Sequence, residues 1–133
     1  MMSGECLCGA VAFEIAEQVN DVFVCHCSIC RRSTGTHGIA VLVMDNEKLR
    51  WTRGEDQINT YTLPGHDWQT WFCKTCGSPL PGANDEARMF VPAGLITQGV
   101  EHLSVSDHIF VDSKAPWDEI GDAGRRHPEQ YKP

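Results

Sequence analysis

Seven cysteines stand at three spacings: Cys6-x-Cys8, Cys25-x-Cys27-x-x-Cys30 and Cys73-x-x-Cys76. Residues two apart on an extended segment point the same way, so Cys6 and Cys8 share a face, as do Cys25 and Cys27. A C-x-x-C turn, at Cys27/Cys30 or Cys73/Cys76, folds its sulfurs back toward one point. Zinc needs that convergence: four ligands in a tetrahedron when structural, three and an open position when catalytic. Two pairs and one triplet divide into a closed four-cysteine site and an open three-cysteine site. The pattern predicts two zinc ions per chain, one for folding and one for chemistry.

A disulfide scaffold fits less well. The cysteine count is odd, which leaves at least one unpaired. The start, Met1-Met2-Ser3-Gly4-Glu5, shows no basic region followed by an apolar run. A chain of 133 residues buries about two-thirds of its unfolded surface without staples. Neither the C-x-C nor the distant C-x-x-C surrounds an ion alone, whereas the triplet holds one by itself. Pairing Cys6 and Cys8 with Cys73 and Cys76 therefore satisfies every ligand and ties the N-terminus to the middle of the chain. His26 lies between two cysteines, but on an extended segment its ring faces away from them. It reads as a packing or ligand-supporting histidine rather than a fourth ligand.

Three thiolates on a divalent ion give a centre of net charge about −1, a poorer Lewis acid for water than a site of three neutral histidines. A hydrolase relying on activated water is therefore disfavoured. The open site better suits a substrate thiol, which zinc binding deprotonates outright and whose thiolate is the nucleophile. Arg31 and Arg32 directly follow the triplet and are candidates for a substrate carboxylate, which a guanidinium grips bidentately. Each reads equally as an exposed charge near a turn. His37, His66 and His108 are proton-transfer candidates by residue type alone, and packing is the first reading of His108, which sits beside an apolar strand. Trp68, Trp71 and Trp117 are candidates for a pocket wall, although tryptophans of a small β domain belong more often to its core.

Eighteen acidic against eleven basic residues give a formal charge of −7, which argues against a nucleic-acid partner despite the finger-like cysteines. No run of about 18 apolar residues marks a membrane span. Abundant reduced cysteine without a targeting signal predicts a cytoplasmic protein. Arg125 and Arg126 read as solvated surface.

The elements that must position these residues show period-two alternation. Val11, Phe13 and Ile15 alternate after the first cysteine pair, and Asp21 to Val24 leads as a strand into the triplet. Ser28 to Ser33 predicts one helical turn, with Ser28 as N-cap and Gly35 ending it. Further strands are expected at Ile39–Met44, Leu49–Thr52, Ile58–Leu63, Thr70–Phe72, Arg88–Pro92 and His108–Val111. No segment sustains 3.6-residue periodicity over three turns. The chain therefore reads as mainly β, one domain over 1–133, with residues from about 112 to 133 forming an irregular wrap.

Four blocks resemble the glutathione-dependent formaldehyde-activating (GFA) family, which includes the centromere-protein-V-like proteins. They are Cys6-Leu7-Cys8-Gly9-Ala10-Val11-Ala12-Phe13, Cys25-His26-Cys27-Ser28-Ile29-Cys30-Arg31-Arg32, Phe72 to Leu80, and His108 to Trp117. The resemblance implies a β-tent of several short, twisted antiparallel sheets held by zinc. It implies that Cys6, Cys8, Cys73 and Cys76 form the structural site and that Cys25, Cys27 and Cys30 form the catalytic one. The implied reaction joins glutathione and formaldehyde reversibly to S-hydroxymethylglutathione, a carbon–sulfur lyase activity with glutathione as the small-molecule partner. Two other classes compete: a non-catalytic zinc-stabilised binding module with a fourth protein ligand on the triplet, and a thiol redox sensor working through it.

Overall fold

The computed structural model describes residues 1–133. Strands and one helix follow in the order β1 (Met2–Glu5), β2 (Ala12–Ile15), β3 (Asp21–Cys25), α1 (Ser28–Thr34), β4 (Ile39–Asp45), β5 (Leu49–Arg53), β6 (Ile58–Thr62), β7 (Gln69–Cys73), β8 (Gly82–Ala83), β9 (Arg88–Pro92), β10 (Ile96–Gln98), β11 (Ser104–Ile109) and β12 (Arg125–Arg126). They build a four-stranded sheet, β10-β1-β2-β5, a six-stranded sheet, β12-β11-β3-β4-β9-β8, and the separate hairpin β6-β7. The mainly β expectation holds. Pairing is antiparallel except at β11, which runs parallel to both β3 and β12.

Alternation along β3 explains the layering. Val22 and Val24 face the main core with Leu42 and Met44 of β4 and Met89 and Val91 of β9, against Met2, Phe13, Ile15 and Ile96 of the four-stranded sheet. Fully burying each side chain of this kind contributes about 1.5–3 kcal/mol. Phe23 and Cys25 point to the other face of the six-stranded sheet. There Cys25, Cys30, Ile39 and Phe90 form a second cluster, covered by Trp68 and Trp71 from the hairpin side. A third cluster of Cys6, Val11, Cys73 and Leu80 sits where the hairpin meets the N-terminal turn.

Two expectations need correction. The strand expected at His108–Val111 is Ser104–Ile109 instead. Phe110 adopts φ 55°, which ends the strand and turns the chain into a 3-10 turn at Val111–Ser113. The apolar run Ile109-Phe110-Val111 drew the prediction too far along, whereas the backbone of the polar stretch before it makes the ladder with β3. The C-terminal wrap is largely irregular, but it contributes the two-residue strand β12. It follows β11 through hydrogen bonds from His127 N to His108 O and from Val111 N to His127 O.

Candidate functional site

The first cysteine cluster is assembled from two distant turns. Cys6 and Cys8 lie in the turn between β1 and β2. Cys73 ends β7, and Cys76 follows in a turn closed by Gly77 N to Cys73 O. Sulfur separations are 3.7 Å for Cys6–Cys8 and 3.8 Å for Cys8–Cys73, and all four sulfurs lie within 4.8 Å of one another. A tetrahedron with metal–sulfur bonds of about 2.3 Å has edges of about 3.8 Å, so the spacing fits a four-thiolate ion. All seven cysteines are free thiols.

Donors around the cluster favour anionic sulfur. Ser78 Oγ stands 3.2 Å from Cys76 Sγ, and its hydrogen bonds hold Cys76 down to about 5. Backbone N–H groups of Cys76 and Thr75 lower Cys73 as well. Cys8 goes the other way. The Ala10 backbone favours its thiolate, but desolvation and the neighbouring sulfurs push it up to about 11.

The second cluster is local. Cys25 closes β3, and Cys27 and Cys30 bracket the first turn of α1. The N-cap of this helix is Cys27, not Ser28: the Cys27 sulfur accepts the Cys30 N–H at 3.3 Å. Gly35, at φ 69°, ends the helix as expected, in a left-handed conformation that favours glycine. A thiolate at a helix N-terminus is stabilised by unpaired N–H groups. Cys27 accordingly falls to about 2, held by the Cys25 and Cys30 thiols and by the amides of Cys30 and Ile29. Its partners carry the protons: Cys25 rises to about 11, and Cys30, with two sulfurs against it and burial added, rises further. The three sulfurs lie within 4.8 Å of one another, and no further histidine, cysteine or acidic ligand atom joins them. The donor set suits a soft or borderline ion held by three thiolates with one position left open.

His26 turns away from the sulfurs. Its Nε2 is 2.8 Å from His108 Nδ1, and His108 Nε2 is 2.8 Å from Asp122 Oδ1. With Asp122 ionised, His108 donates through Nε2 and accepts the His26 N–H at Nδ1. Burial first, and the adjoining His108 second, lower the His26 pKa. The packing reading of His26 and His108 therefore agrees with the structure. Asp118 lies 3.7 Å from His26 Nδ1, beyond hydrogen-bond reach.

The two arginines separate. Arg31 donates to the backbone carbonyls of His26 and Ser113, which ties the triplet loop to the wrap. Those bonds use Nε and one terminal nitrogen and leave the other terminal nitrogen without a protein partner among them. Arg32 is exposed on α1. His37 is exposed with its ring stacked on His26 at 6.3 Å, and His66 is exposed in the loop before β7.

A cleft of about 130 Å³ opens between the two cysteine clusters, walled by Trp68, Trp71, Phe90 and Ile39. Trp117 is 72% exposed and takes no part in it. Trp71 lies against Gly82, where any Cβ would collide with the indole ring. Sequence reasoning missed Asp107, Asp122 and His127. Asp107 accepts from His127, Ser106 and Arg125 at 2.8, 2.7 and 3.0 Å. Asp107 lies buried on β11, a strand placed too late along the sequence, and Asp122 and His127 lie in the wrap outside any strand, where no local pattern marks them.

The arrangement is that of a β protein carrying a four-thiol and a three-thiol cluster on opposite sides of an aromatic cleft. Residues 1–113 match the family described as glutathione-dependent formaldehyde-activating enzyme, and the chain belongs to that family. It is similar to a Halomonas elongata protein named "Putative glutathione-dependent formaldehyde-activating enzyme", at 27% identity over 132 residues, covering 90% of this chain and 81% of the relative. Its fold is similar to that of a Rhodobacter sphaeroides protein of known crystal structure, with a TM-score of 0.60 and 29% identity. That match covers 73% of this chain and 89% of the other.

Proposed function

We propose that the protein is a carbon–sulfur lyase that joins or cleaves a glutathione-like thiol and a small aldehyde at the three-cysteine cluster. The observation that carries this reading is the triplet itself: three convergent sulfurs with no fourth protein ligand atom beside them. A closed binding module would need that fourth group. Cys25, Cys27 and Cys30 would hold one zinc ion, and Cys6, Cys8, Cys73 and Cys76 a second with a structural role. Bound at the triplet, zinc supplies a centre that stabilises a substrate thiol in its thiolate form.

The chain's own residues do the rest. The helix turn holds Cys27 and Cys30 in register, His26 and His108 brace the loop from behind, and Trp68, Trp71 and Phe90 wall the adjoining cleft. The substrate thiolate sulfur then attacks the aldehyde carbon, the carbonyl π pair moves to oxygen, and a proton ends there. Cleavage is the reverse. Arg31 and Arg32 remain the candidates for a substrate carboxylate. Seven free thiols are consistent with a reducing, cytoplasmic setting. No helix is long and apolar enough to cross a membrane.

Glutathione is expected to raise the melting temperature of the zinc-loaded protein by mass action, with the shift absent in Cys30→Ser. Formaldehyde should then disappear faster than in the uncatalysed mixture. Failure of every small thiol to bind the zinc-loaded protein would overturn the reading.

A further inference from the structure

We infer that the cleft between the two cysteine clusters seats the hydrocarbon body of the aldehyde, so that the preferred electrophile carries a benzene-sized apolar group. The assignment of that group to an aldehyde rests on the thiol–aldehyde reading above; the existence of the seat does not.

Size is the first argument. The cleft holds about 130 Å³, close to the engineered apolar cavity of about 150 Å³ that takes up benzene. A two-heavy-atom aldehyde would leave most of its walls without contact partners, and dispersion is lost wherever a wall faces a gap. Shape is the second. Trp68 stacks on Phe90 at an interplanar angle of 14°, and Trp71 meets the same ring edge-on at 70°. The corner so formed matches a flat ring, which aromatic groups favour in offset or edge-on contact.

Charge decides the occupant. No charged residue lines the cleft, so a thiol bearing carboxylates and an ammonium would strand them unpaired there. An uncharged hydrocarbon meets no such penalty. The polar side chains of the lining are the uncharged hydroxyls of Ser33, Thr34 and Thr70.

The cleft is also coupled to the reacting end. Ile39, one of its walls, is the ladder partner of Cys25. Ser33 and Thr34 on its rim both donate to the carbonyl of Cys30. Cys25, Cys30, Ile39 and Phe90 belong to one buried cluster. A ring in the cleft thus lies one side-chain layer from the triplet. The reaction balances without any added oxidant or reductant: the thiolate sulfur bonds to the aldehyde carbon, the π pair goes to oxygen, and the proton lost by the thiol arrives there, giving R–S–CH(OH)–R′.

The test has two arms on the full, zinc-loaded chain. Benzyl alcohol, which carries the ring but is no electrophile, is followed by saturation-transfer NMR. It should bind wild type and lose at least tenfold in affinity in both Thr70→Trp and Thr70→Tyr, which fill the cleft from β7 to different depths. Glutathione is then offered phenylacetaldehyde or formaldehyde. Wild type should favour phenylacetaldehyde at least tenfold in kcat/KM, and the filled variants should lose that preference while keeping formaldehyde turnover. Absence of benzyl alcohol binding, equal binding by the filled variants, or a wild-type preference for formaldehyde would each overturn the inference. Cleft-dependent binding without reaction of glutathione with either aldehyde would support the seat and sink the lyase reading instead.

Discussion

Chemically identical side chains are set to different tasks by their neighbours. Cys76 is hydrogen-bonded to Ser78 and sits in a turn that joins the hairpin to the N-terminus, whereas Cys27 caps a helix and is anchored on both sides by its own strand and helix. Losing a ligand from the first cluster removes the centre of a small buried cluster that joins the N-terminal turn to the hairpin. Structural zinc is worth about 10–16 kcal/mol in small metal-dependent folds, comparable with the whole stability of a domain at about 5–15 kcal/mol. Cys76→Ser is therefore expected to be unfolded or insoluble, while Cys27→Ser remains folded with one ion fewer. Circular dichroism with metal analysis distinguishes them, and equal loss of structure in both would remove the division of labour.

At the level of elements, the wrap is held to β11 by a buried carboxylate. Burial alone would raise the pKa of Asp107, but hydrogen bonds from His127 and Ser106 and the charge of Arg125 outweigh it and hold the group below its usual range. A carboxylate depressed in the folded state contributes stability that is complete above its unfolded value of about 3.9 and is lost as pH falls through the folded value. Amide exchange at His127, bonded to His108 O, should thus stay slow down to about pH 4 and accelerate below it. Asp107→Asn should loosen the wrap at neutral pH by about 1–3 kcal/mol and flatten that acid dependence. Arg125, 59% exposed, should matter less than His127. An unchanged acid profile in the variant would show that another group carries it.

Legibility from sequence followed the same division. Strands β2, β3, β4, β5, β6, β7 and β9 were readable because one or both faces are apolar and each is bounded by turn residues. The short strands β1, β8, β10 and β12 were not, since they span two to four residues and take their stability from pairing. The cysteine pairs and the triplet announced themselves by spacing, which is local, and ligand counting joined the two distant pairs into one cluster. The bracing of His26 by His108 and Asp122 was invisible, because it depends on β11 lying parallel beside β3, a long-range pairing that no local pattern encodes. The tie from Arg31 to Ser113 was invisible for a related reason, since it reaches a carbonyl in the distant wrap.

For the molecule as a whole, the separation of the two clusters along the chain sets an order in time. Cys25 to Cys30 closes within a single turn, whereas Cys8 must meet Cys73 across 65 intervening steps of chain. The entropy of closing the longer loop exceeds that of the shorter by about 2 kcal/mol, before any strand pairing helps. An unfolded chain given metal therefore fills the triplet first and the four-thiol cluster second. In stopped-flow refolding with cobalt, thiolate-to-metal absorption should rise in two phases, the faster one surviving in Cys6→Ser and the slower one missing; a single phase would contradict this order. During that interval the partly filled triplet has Cys6 and Cys8 a short distance upstream as competing thiols. The refolding chain is thus most exposed to mispaired metal until Cys73 and Cys76 reach Cys6 and Cys8, and its yield should fall as metal is added earlier.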